Sequence, residues 1–147
     1  MSTRQRFSLA AVLLVAVSAA VYFAKAAEPG PGSSEPASRL AVVWSSGDPE
    51  IAHRVCLMYT HGAAKQAWFD EVRLIVWGPS AQLLAADKDL QRKIRAMMDD
   101  GIEVQACIVC ADSYGVTDTL RGLDIEVKPM GRPLTDMLTS GYHVLTF

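Results

Sequence analysis

Cys107 and Cys110 stand in C-x-x-C spacing within Val104-Gln105-Ala106-Cys107-Ile108-Val109-Cys110-Ala111, where a strand-like apolar run passes into a helix-like one. A thiol at that junction can be activated. The unpaired N–H groups of a first helical turn carry partial positive charge that favours a thiolate, and a neighbouring thiol can donate a hydrogen bond to it. A thiol in mid-core has neither aid. The third cysteine, Cys56, follows Val55 on a separate helical segment with no recognisable partner and reads as core packing. His53, His61 and His143 fall on three different segments, so together with a single C-x-x-C they do not suggest a structural zinc site.

The elements around the pair alternate in type. Leu40 to Trp44 is a short apolar run closed by Ser45-Ser46-Gly47, the pattern of a buried strand and its turn. Asp48 followed by Pro49 predicts an N-cap with proline at the first helical position, and the helix beyond it places Ile51, Val55, Met58 and Tyr59 on one face. Val72 to Trp77 is a second strand, and Gly78-Pro79-Ser80 turns the chain into a helical segment in which Leu90, Ile94, Met97 and Met98 repeat the same offsets. Gly101 sits where a left-handed C-terminal cap belongs. Strands at Glu103 to Cys107, Ile125 to Val127 and His143 to Phe147 follow, separated by helical regions at 111–120 and 133–139.

Strands joined through helices cannot be hairpins, and nearly continuous apolar strands point to burial on both faces. The expectation is an α/β fold: a parallel five-stranded sheet with helices on both faces, in a flavodoxin-like three-layer architecture. Ligands of such sheets gather beyond the carboxyl ends of the strands. Ser45 to Asp48, Gly78 to Ser80 and the cysteine pair all map to that edge.

The chain of 147 residues, half of them hydrophobic, suits one domain. Residues 1–26 stand apart from it. Arg4 and Arg6 precede an apolar run at residues 7–24, and Ala24-Lys25-Ala26 fits a small-x-small cleavage site, the layout of a secretory signal peptide. The run's 18 residues also approach the length of a membrane-spanning helix, so either cleavage and export to a periplasmic or extracellular space, or an uncleaved inner-membrane anchor, is expected. Residues 27–38 are a Pro/Gly/Ser-rich linker, and residues 39–147 form the domain. Loss of Arg4, Arg6 and Lys25 with the first 26 residues takes the 14 basic residues to 11 against 16 acidic ones. No basic patch marks a nucleic-acid partner.

Missing motifs exclude several functions. The sequence has no phosphate-binding G-x-x-x-x-G-K-[ST], no G-x-G-x-x-G after the first strand and no G-x-S-x-G. Ala111 rather than histidine follows Cys110, so c-type haem attachment is not indicated. No cofactor and no metal ion is expected.

Residues 40–147 resemble the DsrE/DsrF-like family, which includes sulfur-relay proteins and shares a YchN-like α/β fold. The carrying segments are Ser45-Ser46-Gly47-Asp48-Pro49, Leu74-Ile75-Val76-Trp77-Gly78-Pro79-Ser80, the run Ala106 to Val116, Met130-Gly131-Arg132-Pro133-Leu134-Thr135 and Val144-Leu145-Thr146-Phe147. The resemblance implies that Cys107 matches the cysteine that accepts sulfane sulfur as a persulfide after the third strand. It also implies a homo-oligomer, trimeric or hexameric, and a protein donor or acceptor of sulfur. Three roles stay open for Cys110: resolving the persulfide, forming a disulfide with Cys107, or packing. The leading expectation is an exported sulfur carrier rather than a turnover enzyme. A small-ligand-binding or interaction module with structural cysteines is the alternative, and a thioredoxin-like oxidoreductase ranks third because its C-x-x-C opens an early helix.

Overall fold

The computed structural model describes residues 38–147; the signal or anchor segment expected at 1–26 and nearly all of the linker lie outside the described residues. Five strands form one parallel sheet: β1 (Arg39–Trp44), β2 (Glu71–Val76), β3 (Glu103–Cys107), β4 (Glu126–Lys128) and β5 (Tyr142–Thr146), in the order β4-β3-β2-β1-β5. The helical elements are α1 (Pro49–Ile51), a π-helical turn at Ala52–Cys56, α2 (Leu57–Lys65), α3 (Pro79–Ala86), α4 (Lys88–Asp99), α5 (Ile108–Ser113), α6 (Thr117–Arg121) and α7 (Gly131–Thr139). The expected α/β class and parallel five-stranded sheet are what the structure shows.

The two faces of the sheet are covered unequally. Leu40, Val42, Trp44, Val72, Leu74, Val76, Val104 and Ala106 pack against the π-helical turn and α2 to α6 as the main core. The opposite face has a smaller cluster of Ala41, Val43, Ile75 and Cys107 beneath Met130 and Met137, the latter on α7. Toward the amino ends of the strands that second face is charged rather than apolar. The Tyr142 hydroxyl donates to Glu71 at 2.7 Å, Arg73 bonds Glu71 and reaches Glu103 at 3.1 Å, and Gln105 donates to Glu103 and Glu126 at 2.6 and 2.8 Å. A lateral ladder of hydrogen bonds therefore replaces the apolar burial expected on both faces. Burial draws the Glu71 carboxyl upward, but Tyr142 and Arg73 outweigh it and hold that carboxyl below its ordinary range.

The first helix also departs from its pattern. Ile51, Val55 and Met58 do share a side, but that side faces solvent, while Ala52, Cys56, Leu57, Thr60 and Ala63 are fully buried. The sequence carries two overlapping stripes, and the one made mostly of small side chains permits the closer approach to the sheet. Leu57 N–H donates five residues back to Ala52 O, a π-turn that brings both Cys56 and Leu57 inward. Thr60 belongs to the buried stripe because its hydroxyl donates to Cys56 O at 2.7 Å. Farther on, the segment after Gly78 is two helices, broken where Asp87 leaves helical geometry and caps α4 by accepting from Asp89 and Leu90 N–H. Leu90, Ile94 and Met97 are fully buried as their spacing predicts.

Candidate functional site

The carboxyl edge of the sheet is built by short-range hydrogen bonds that follow from its residue types. Ser80 is fully buried at the start of α3; its hydroxyl donates to Trp44 O at 2.5 Å and accepts from Trp77 N–H at 3.0 Å, tying the ends of β1 and β2 together. Ser80→Ala is expected to destabilise the fold by about 1–2 kcal/mol, read from urea unfolding midpoints, because a buried carbonyl loses a donor. Ser45 and Ser46 spend their amides on Phe147 O at 2.7 and 3.1 Å, and Ser45 Oγ adds a third donor at 2.8 Å. Asp48 accepts from Glu50 and Ile51 N–H as the helix cap. These residues, candidates for ligand contact on sequence grounds, are occupied in holding the edge together.

Cys107 is the last residue of β3 and the N-cap of α5, and Cys110 stands three positions into the helix. N-cap and third-helical positions lie side by side, as the reciprocal bonds of a capping box show. The structure keeps the two thiols together: both side chains belong to one packed cluster, and Cys107 is one of the neighbours that raise the Cys110 thiol. Cys107 makes no side-chain bond to the N–H groups of α5, so its polar neighbour is the second thiol rather than the helix terminus. Burial pushes the Cys110 thiol above its ordinary value; the Gly78 N–H pulls it back partway, and the neighbouring Cys107 thiol raises it again. Cys110 is therefore held toward its protonated form beside Cys107.

The pair is walled by Trp77 from β2's end, Met130 before α7 and Leu134 on α7. Cys107 retains 5 % of its surface exposure, whereas Cys110 is half-buried and Val109 between them is 69 % exposed. Access to Cys107 is thus narrow, a constraint that favours a small sulfur donor over a bulky one. Gly78 was legible in the sequence as a turn residue, but its contact with Cys110 was not, since the two are distant in sequence and meet only when β2 and β3 pair. Nothing local in the sequence signals that Met130 packs into the cluster of Cys107.

Cys56 is far less reactive by environment. It is fully buried in the main core, and burial pushes its thiol up to about 12 even though a Thr60 side-chain bond acts in the opposite direction. The histidines stay separate from the cysteines: His53 lies 3.7 Å from Asp87, and His61 bridges Asp100 at 2.5 Å and Lys93 at 2.7 Å. His143 stacks on Phe69. Among the described residues no group of three or more His, Cys, Asp or Glu side chains could hold a metal ion.

Fold and site together define a parallel α/β protein whose paired thiols sit at the carboxyl edge of its sheet. The chain belongs to the DsrE/DsrF-like family, whose match spans residues 38–147. That places it in a family with a sulfur-relay-related role. Among solved structures, a conserved protein of unknown function from Bacteroides thetaiotaomicron is similar at 30% identity and a TM-score of 0.72, covering 75% of this chain and 95% of its own. The YchN protein from E. coli shares the fold at 16% identity and a TM-score of 0.58, covering 76% of this chain and all of its own. No curated protein matches the chain.

Proposed function

We propose that this protein is a sulfur carrier in which Cys107 takes up sulfane sulfur as a persulfide, in an exported or membrane-tethered setting set by residues 1–26. The observation that carries the reading is the position of Cys107 as last residue of β3 and N-cap of α5, with Cys110 in the same packed cluster. A persulfide carrier needs a sulfur that can act as a nucleophile at such a junction, and a second thiol beside it can take part in its chemistry. Attack of Cys107 on the outer sulfur of a low-molecular-weight persulfide forms the Cys107 persulfide and expels the donor's thiolate. The small exposure that Cys107 retains suits such a donor.

A homo-oligomer, trimeric or hexameric, is part of the same proposal. It is supported by the exposed large apolar side chains of Ile51, Val55, Met58 and Trp68, since apolar surface left to solvent marks contact sites. A protein acceptor would take the sulfur on.

The test is uptake of sulfane sulfur from glutathione persulfide by the purified protein under anaerobic, reductant-free conditions. Donor consumption by the wild type and none by Cys107→Ala is the expected result. Equal, background-level consumption by both would instead favour an interaction module in which the cysteines are structural.

A further inference from the structure

We propose that Cys110 discharges a persulfide left on Cys107, releasing hydrosulfide and closing a Cys107–Cys110 disulfide. The inference rests on the carrier reading above and adds a fate for sulfur that no acceptor collects.

Three features of the site carry it. The two residues hold adjacent positions at the β3–α5 junction, as N-cap and third helical residue, and their side chains share one packed cluster. Both belong to one packed cluster with Trp77, Met130 and Leu134, so the contact is held from several sides. The Gly78 N–H points at the Cys110 sulfur, a donor placed to steady negative charge as that sulfur becomes the nucleophile. Cys107 itself is nearly closed off, so its inner sulfur is more accessible to the neighbouring thiol than to a bulky external one.

The step balances without an added oxidant. In the loaded form Cys107 carries an outer sulfur as a persulfide anion, and Cys110 is a neutral thiol. The Cys110 sulfur attacks Cys107 Sγ, the bond from Cys107 Sγ to the outer sulfur breaks, and the Cys110 proton passes to the departing sulfur, which leaves as hydrosulfide. The two cysteine sulfurs are oxidised to a disulfide while the sulfane sulfur is reduced by the same electron pair. Holding Cys110 toward its protonated form then supplies the proton that keeps the leaving group from departing as a bare dianion. An external dithiol resets the pair.

Glutathione persulfide is the probe, with wild type, Cys110→Ser and Cys110→Ala compared anaerobically by intact mass and by trapped hydrosulfide. Wild type is expected to end as the disulfide, with about one hydrosulfide released per chain. The two Cys110 variants are expected to retain the added sulfur at Cys107 and release none, and dithiothreitol should return wild type to the dithiol mass. Wild type that keeps as much persulfide as the variants, with no hydrosulfide, overturns the discharge step and leaves the carrier standing. Failure of both folded Cys110 variants to take sulfur removes the carrier reading and the discharge step together. Circular dichroism of each variant establishes that it is folded.

Discussion

Gly78→Ala is expected to destabilise the protein by about 1–3 kcal/mol and to raise still further the pH at which Cys110 ionises. Gly78 lies at φ +67° and ψ −137°, a conformation essentially reserved to glycine. An added Cβ would meet only Ser45 O, at 3.9 Å, so the loss comes from backbone strain and not from collision. Relief of that strain would rotate the peptide whose N–H reaches the Cys110 sulfur. That N–H lowers the pH at which Cys110 ionises, and losing it moves the thiol upward. Urea unfolding reads the first effect; the pH dependence of Cys110 alkylation, followed by peptide mass, reads the second. An alanine variant with an unchanged midpoint and an unchanged alkylation profile would show that neither the conformation nor the amide contact matters. A loss of stability alone would separate the two, leaving Gly78 as a turn residue without influence on the thiol.

The distribution of what was legible follows from how far each interaction reaches along the chain. Strand boundaries, the Asp48 cap and the buried stripe Leu90–Ile94–Met97 depend on local spacing, and each is found where spacing puts it. The parallel sheet followed from helices between strands. Its burial did not, because Glu71, Arg73, Glu103 and Gln105 satisfy one another across two strands and need the register of β2 against β3 to do so. The first helix misled for a different reason. Two apolar stripes compete on it, and side-chain size decides between them: Ala52, Cys56 and Ala63 allow close packing that Ile51, Val55 and Met58 would prevent.

The site divides in the same way. The C-x-x-C spacing located the pair, and the strand-to-helix junction followed from the apolar pattern. The neighbour from β2 is not legible locally: Cys110 comes beside Gly78 only when β2 and β3 pair. Cys107 is the N-cap of α5 but makes no side-chain bond to its N–H groups. A sequence can thus show two reactive residues near one another without showing what closes around them.

Cys56 yields a prediction of opposite sign to the usual carboxylate case. Its thiol is raised from 9.0 to about 12 in the folded state, chiefly by burial. At pH values between those two, the unfolded chain has lost the proton that the folded chain keeps. Stability therefore falls as pH rises above 9.0, whereas below it the group contributes no pH dependence. One pH unit beyond the unfolded value corresponds to about 1.4 kcal/mol. Wild type is accordingly expected to lose about that much more stability than Cys56→Ala between pH 7 and pH 10, measured by urea unfolding at both values. The alanine variant starts lower because it leaves a small cavity, so the informative quantity is the change with pH rather than the midpoint at either one. The same burial keeps Cys56 from competing for sulfur: at pH 9 only about a thousandth of it is thiolate, and thiolate is the species that attacks. Alkylation of the native protein should mark Cys110 and spare Cys56 until urea unfolds the chain. Equal pH slopes in wild type and Cys56→Ala, or native labelling of Cys56 as fast as Cys110, would show that water reaches this thiol and that sulfur uptake must then be mapped over three cysteines instead of two.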